Sequence, residues 1–228
     1  TLSLDGTFVG RYPGVLGNSL KVDICSNATS FAAWTGGTGE PNPKDSFDAA
    51  PGTSDSATAA GATNDEIHVA IIDEDGKWSG KKGTILETFA FLSLSPQGKK
   101  SDGTTNYYKD VINNLSQYVW WSGHNTAFNA GSGPTTSAAG GNFVSGQGFT
   151  TSNTIVSASL AGGTDDNAPL HGEISSGFDK LADAETVDVN LLFAYPDANG
   201  AKNIAEKLIS VAEARKDCMA FVSPPIED

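Results

Sequence analysis

The sequence is short of almost every residue type that concentrates chemistry. It holds two cysteines, Cys25 and Cys218, far apart in the chain. They cannot supply the disulfide framework of a small secreted domain, and both read as buried thiols. Three histidines, His68, His124 and His171, stand at unrelated positions, so no H-E-x-x-H type of zinc spacing can be built from neighbours. Basic residues are scarce as well: 14 Lys and Arg face 27 Asp and Glu, a formal charge of −13. A chain with no basic stripe cannot displace counterions from phosphates, which excludes nucleic acid as an expected partner. The longest apolar stretches, Val69 to Ile72 and Leu191 to Tyr195, fall far below the roughly 20 residues that span a bilayer, so no membrane partner is expected either. Met219 is the single methionine and the first residue is Thr1; the numbered chain reads as a fragment or a processed product.

What fills the space is small and polar. Hydrophobic residues reach 38%, charged residues 18%, and there are 26 glycines, a composition that predicts long loops around a modest core. Several stretches come near to a functional motif and miss. No G-x-S-x-G nucleophile elbow occurs. Gly76-Lys77-Trp78-Ser79-Gly80-Lys81-Lys82 approaches a phosphate loop, but three residues separate its glycines instead of four, and Lys82 stands where a Ser or Thr would hold magnesium. Asp73-Glu74-Asp75-Gly76 suggests calcium, yet the glycine comes too early for an EF-type loop, and a hairpin tip is the better reading. Asp165-Asp166-Asn167 reads as a solvated turn, and the sequons at Asn27 and Asn114 are patterns too short to carry weight. No residue is therefore assigned a catalytic, cofactor-binding or metal-ligating role, and no cofactor is expected.

The expected fold class is mixed, α+β or α/β: antiparallel hairpins plus a C-terminal β-α-β unit, with long Gly/Ser/Thr-rich surface loops. Leu20, Val22 and Ile24 alternate with Lys21 and Asp23, the period of a half-buried strand. Glu66 to Asp73 reads as a second strand entering a tight Asp75-Gly76 turn. Thr84 to Leu94 is extended or mixed. Thr105 or Asn106 is positioned to cap a helix through about Asn114, with Tyr107 and Val111 inward, and Tyr118 to Trp121 resumes as a strand. Val187 to Ala194, then Gly200 to Lys216 with Ile204, Leu208, Val211 and Ala212 on one face, then Cys218 to Val222, make the β-α-β unit. Residues 35–64 and 122–154 are expected as long surface segments of a single domain spanning 1–228, with an alternative split near 155–170.

Five segments, in order, resemble the tail sheath proteins of contractile-tailed, T4-like bacteriophages. They are Gly10-Arg11-Tyr12-Pro13-Gly14 with Gly17 to Val22; Val69 to Gly76 with Gly83 to Phe89; Asn106 to Asn113 with Ser116 and Tyr118 to Trp120; Leu160-Ala161-Gly162-Gly163-Thr164-Asp165; and Leu191 to Pro224. The resemblance implies a structural virion protein of the phage tail, assembled in the host cytoplasm, with no enzymatic activity. It implies self-association with other sheath subunits around the tail tube protein, contacts with baseplate and tail terminator proteins, and contraction that drives the tube and delivers the genome. Family members continue beyond a segment like Pro224-Pro225 and carry an N-terminal arm before the first motif, so the chain matches the central part of a subunit. Two other readings are a different baseplate or surface-assembly module, and an α/β enzyme with its site near the strand ends at Tyr195, Asp197 and Ser223.

Overall fold

A computed structural model describes residues 7–129, 136–165, 167–194 and 201–222, and the chain divides between residues 165 and 166 into two compact units. The class is mixed α+β. The first unit contains the strands β1 (Phe8–Gly10), β2 (Leu20–Cys25), β3 (Glu66–Asp73), β4 (Thr84–Ser93), β5 (Val119–Trp121), β6 (Thr136–Ser137), β7 (Gly148–Phe149) and β8 (Val156–Ser159). Its helices are α1 (Ala28–Ala33), α2 (Asp55–Ala59) and α3 (Tyr108–Leu115). The second unit contains α4 (His171–Asp179), β9 (Leu191–Ala194), α5 (Ala201–Arg215) and β10 (Met219–Val222).

The β-branched residues of β2 and β3 place them at the centre of an antiparallel sheet of order β4-β3-β2-β8. Register sets Val22 opposite Ile71 and Ile24 opposite Val69, while Asp23 faces Ala70 and Cys25 faces His68. Opposed residues share a face, so the two sets point to opposite sides of the sheet. Leu20, Val22, Ile24, Ile67, Val69 and Ile71 join Tyr107, Tyr108, Val111, Ile112, Val119 and Phe128 in the larger core. On the other side Cys25, Ala70 and Ile72 pack with Trp34, and Phe31 and Phe47 close over them. β2 is thus covered on both faces, where its alternation predicts one solvated side. Asp23 remains inside because the Trp34 indole N–H (3.0 Å) and the Ser157 hydroxyl (2.7 Å) both donate to its carboxylate.

The segments expected as surface loops are tied down by a few side chains. In 35–64, Phe47 stacks on the His68 ring at 4.4 Å, and Pro43, Pro51, Ser54, Ala57 and Ala62 are buried. Small and cyclic side chains lose little rotamer freedom on burial, so such a stretch orders with less apolar area than its composition suggests. In 122–154, Phe128 and Phe149 enter the larger core and Phe143 packs against it. Two local expectations also change. The α3 N-cap is Tyr107, with no side-chain cap bond, because the Asn106 amide donates instead to the Phe91 carbonyl at 2.7 Å. The Asp75-Gly76 dipeptide lies within a longer connection, residues 74–83, between β3 and β4.

In the second unit β9 and β10 pair in parallel, Leu192 opposite Ala220, and α5 covers them through Ile204, Leu208 and Val211 against Leu192. The β-α-β unit is as expected, although its first strand begins at Leu191 and residues 187–190 precede it without strand structure. Arg215, at the end of α5, binds the Leu181 (2.6 Å), Asp183 (3.1 Å) and Val187 (2.8 Å) carbonyls and forks onto the Asp217 carboxylate. One guanidinium thereby stitches the segment after α4 to the end of α5. Cys25 and Cys218 are both free; Cys25 is buried and Cys218 only partly so.

Leu208 is fully buried, so Leu208→Ala should open a cavity and cost roughly 2 to 5 kcal/mol in urea unfolding. Glu206 is exposed and makes only a surface pair with Lys202 at 3.7 Å, so Glu206→Ala should cost no more than about 0.5 kcal/mol. Equal unfolding curves for the two variants would refute the packing assignment.

Candidate functional site

The three histidines stand on separate elements. His68 on β3 is fully buried. Its Nε2 donates to the Ala49 carbonyl (2.8 Å) and its Nδ1 accepts the Phe91 N–H (3.0 Å), which fixes one neutral tautomer. Burial lowers its pKa, with backbone hydrogen bonds opposing. This histidine holds a strained strand in place: Phe91 takes a φ of 51°, a left-handed conformation that a bulky residue keeps only under external constraint. The second histidine, His124, shares a hydrogen bond of 2.6 Å between its Nδ1 and the Tyr108 hydroxyl, and the Trp121 indole N–H donates to that hydroxyl at 3.0 Å. Burial pushes the Tyr108 phenol well above its ordinary range and lowers His124, with Lys109 adding to the latter. His171 opens α4. Among the described residues no group of three or more His, Cys, Asp or Glu is arranged to hold a metal ion. Tyr195, Asp197 and Ser223, the strand-end positions, lie outside the described residues.

The loop that resembles a phosphate cradle is already filled by the protein's own anion. Asp73 sits opposite Leu20 in the sheet and is fully buried. One of its carboxylate oxygens accepts from the Trp78 N–H (2.9 Å), the Ser79 N–H (2.7 Å) and the Ser79 hydroxyl (2.8 Å), and the other accepts the Ser19 hydroxyl (2.6 Å). Burial acts to raise its pKa, but the hydrogen bonds from Ser19, Ser79 and Trp78 outweigh it and hold the group below the usual carboxylate range. The acidic run is therefore an inward latch at its first residue, and Asp75 alone of its acids is exposed.

The latch positions a surface. With its N–H bound to Asp73, Trp78 donates its indole N–H to the Leu16 carbonyl at 3.1 Å. Its ring lies 5.3 Å from Tyr12 and 5.2 Å from Tyr118. Arg11 donates to the Asn113 (2.6 Å) and Val119 (3.3 Å) carbonyls and lays its guanidinium 4.8 Å from the Trp120 ring. Beside them the Gly14–Asn18 turn is clasped by the 160–165 segment. Asp165 accepts the Val15 N–H (2.7 Å), and Asn18 exchanges two bonds with Gly163 (2.9 and 2.7 Å). A side chain at Gly14, which has φ 106°, would place its Cβ 2.2 Å from Asp165, and one at Gly163 would lie 2.1 Å from the Gly14 carbonyl, so both positions require glycine. Four segments distant in sequence, 10–19, 74–83, 113–121 and 160–165, thus meet at one end of the sheet and present Tyr12, Trp78, Tyr118 and Trp120 together. Sequence reading singled out these segments but had no signal that they touch.

No family model matches the chain. Over 147 residues, 64% of its length, it is 29% identical to the tail sheath protein of Salmonella phage ViI. Over 73 residues, 30% of its length, it is 36% identical to the tail sheath protein of Enterobacteria phage T4. These stretches make up 18% and 11% of the relatives' own lengths, so the chain spans less than a fifth of either.

Asp73→Asn would turn an amide N–H toward N–H groups that now donate to the carboxylate, leaving buried donors unpaired. It should cost about 1 to 3 kcal/mol at neutral pH. Because the folded-state pKa is depressed, this contribution is complete above the unfolded value of about 3.9 and fades as pH falls through the lower folded value. In urea unfolding of parent and variant between pH 7 and pH 2.5 the gap should therefore narrow toward the acid end. A gap that stays constant would sink the assignment.

Proposed function

We propose that this chain, a member of the phage tail sheath family, forms a rigid part of a sheath subunit that packs against copies of itself around the tail tube and moves with them when the tail contracts. The observation that carries this reading is the match over 147 residues to a tail sheath protein. The geometry adds a physical reason: four of the five segments that resemble the family, all in the first unit, contribute to the surface held by the Asp73 latch and the Gly14–Gly163 clasp.

The work proposed is mechanical. A contracting sheath shortens by rotating subunits across interfaces that have two stable arrangements, while each subunit keeps its fold. Energy for such a step is stored in the interfaces during assembly and held there by a kinetic barrier. A body suited to this role must not deform under load. In the first unit, Asp23, Asp65 and Asp73 are buried with their carboxylates fully engaged: Asp65 accepts the Ser54 N–H (2.8 Å) and the Ser54 (2.8 Å) and Ser93 (2.6 Å) hydroxyls. Satisfied buried polar networks rigidify and select one packing. Contacts with the tail tube, baseplate and tail terminator proteins, residence in the virion tail and the absence of catalysis follow from the same reading.

The test is assembly of the gene product that carries this chain, expressed without other phage proteins and viewed by negative-stain electron microscopy. Hollow tubes or stacked rings are the expected outcome. Particles that stay monodisperse at every concentration and ionic strength would overturn the proposal.

A further inference from the structure

We infer that His68 is a proton-operated catch: with a neutral ring it holds residues 43–50 over one face of the sheet and Phe91 in its left-handed conformation, and taking up a proton lets both go while the larger core stays closed. The side chain is fully buried, and its two nitrogens are committed to backbone groups of different segments. Nε2 donates to Ala49 and Nδ1 accepts from Phe91. The ring lies flat on Phe47 at 4.4 Å, with Phe91 (4.6 Å) and Phe31 (5.9 Å) in T-shaped contact. Residues 47–54 form neither helix nor strand, and Asp48 and Ala49 are exposed, so the cover over the ring is thin.

A second ring proton has no place there. It would turn Nδ1 into a donor facing the Phe91 N–H and bury a charge with no acceptor for the added N–H. The Phe47 face attracts a cation but offers no lone pair. The ionisable groups of the surrounding elements are engaged elsewhere. On β2, Cys25 sits opposite as a buried thiol, and the Asp23 carboxylate is taken by Trp34 and Ser157. On β3, Glu66 accepts the Gly52 N–H at 3.0 Å, and on β4, Glu87 binds Ser116 and Gln117. α1 carries no ionisable side chain. On the cover, Lys44 reaches the Ala32 carbonyl, Asp45 accepts from Asn42, and Asp48 is exposed. Burial lowers the His68 pKa, so the closed form, which binds the proton poorly, loses stability as pH falls below the ordinary value of about 6.5. Burial raises Glu66, which therefore titrates with the opposite sign and cannot produce the effect. The response that costs least is local: the cover swings out to hydrate the ring, and Phe91, held at φ 51°, relaxes once its N–H is freed.

Cys25 reports the opening, because it is fully buried, pairs with His68 across the sheet and lies under Phe31 and Phe47. The unassembled gene product is pulsed with 4,4′-dithiodipyridine between pH 7 and pH 4.5, and labelling of the Cys25 peptide is read by mass spectrometry as a ratio to the urea-unfolded protein at the same pH. The ratio should rise about tenfold per pH unit below about 6.5, the slope of one proton. Amide exchange at Val22 and Ile24, whose side chains lie in the larger core, should stay slow once corrected for the intrinsic rate. His68→Gln offers an N–H donor and a carbonyl acceptor but does not titrate, so its slope should vanish. Phe47→Leu thins the cover and should be labelled faster than the parent at every pH, with the slope kept. A pH-independent ratio in the parent, the parent's slope in His68→Gln, parental labelling in Phe47→Leu, or exchange at Val22 and Ile24 that accelerates in step with labelling would overturn the catch.

Discussion

The buried carboxylate of Asp73 is the interaction on which one end of the first unit depends. It closes β3, faces Leu20 in the sheet, and gathers donors from Ser19, Trp78 and Ser79. Its partners among the described residues are neutral hydroxyls and amides, and the ionised form is still favoured because every donor points at it. The consequence runs outward. The loop that donates to Asp73 carries Trp78, Trp78 reaches Leu16 and the Tyr12 and Tyr118 rings, and the resulting surface has a fixed shape in a region whose sequence is mostly glycine, serine and lysine.

The same device recurs at Asp65 and Asp23. Asp65 joins α2, through its N-cap Ser54, to β4 through Ser93. Asp23 joins β8, through Ser157, to Trp34 after α1. Each carboxylate ties together segments that are distant in sequence. A chain with 38% hydrophobic residues thus fixes its loops with a few directional bonds where another protein would use area.

What was legible in the sequence follows from this division. Strands β2 and β3 and the C-terminal β-α-β unit were readable because periodicity reports burial directly, and motif order was enough to show the resemblance to tail sheath proteins. The second face of β2 was not readable, since its cover comes from single residues, Trp34 and Phe47, separated from the strand by a polar stretch. Asp73 was hidden for a related reason. As the first acid of Asp73-Glu74-Asp75-Gly76 it looks like part of a solvated tip, and only the register with Leu20 turns it inward. The candidate surface was visible as a set of motifs but not as a surface, because contact among residues 12, 78 and 118, and between 14 and 163, is a property of the closed fold.

The two units expose apolar surface of different kinds, and the difference bears on what each can specify. On the β9–β10 pair, Phe193 (62% exposed) and Phe221 stack at 5.4 Å beside exposed Leu191 and Met219. Such a face gains from burial at any register, since the hydrophobic effect is non-directional. The segments that build the first unit's aromatic face carry charges of both signs, Arg11 and Lys77 beside Asp75 and Asp165, and a partner shifted along it changes its charge pairing while burying similar area. The proposed sheath role needs each contact between copies to fix rise and rotation, and a surface of the second kind constrains both. Under the proposed sheath role, Asp73 and the Gly14–Gly163 clasp, which hold that surface in place, are therefore the positions at which a change inside the first unit would alter contacts outside it.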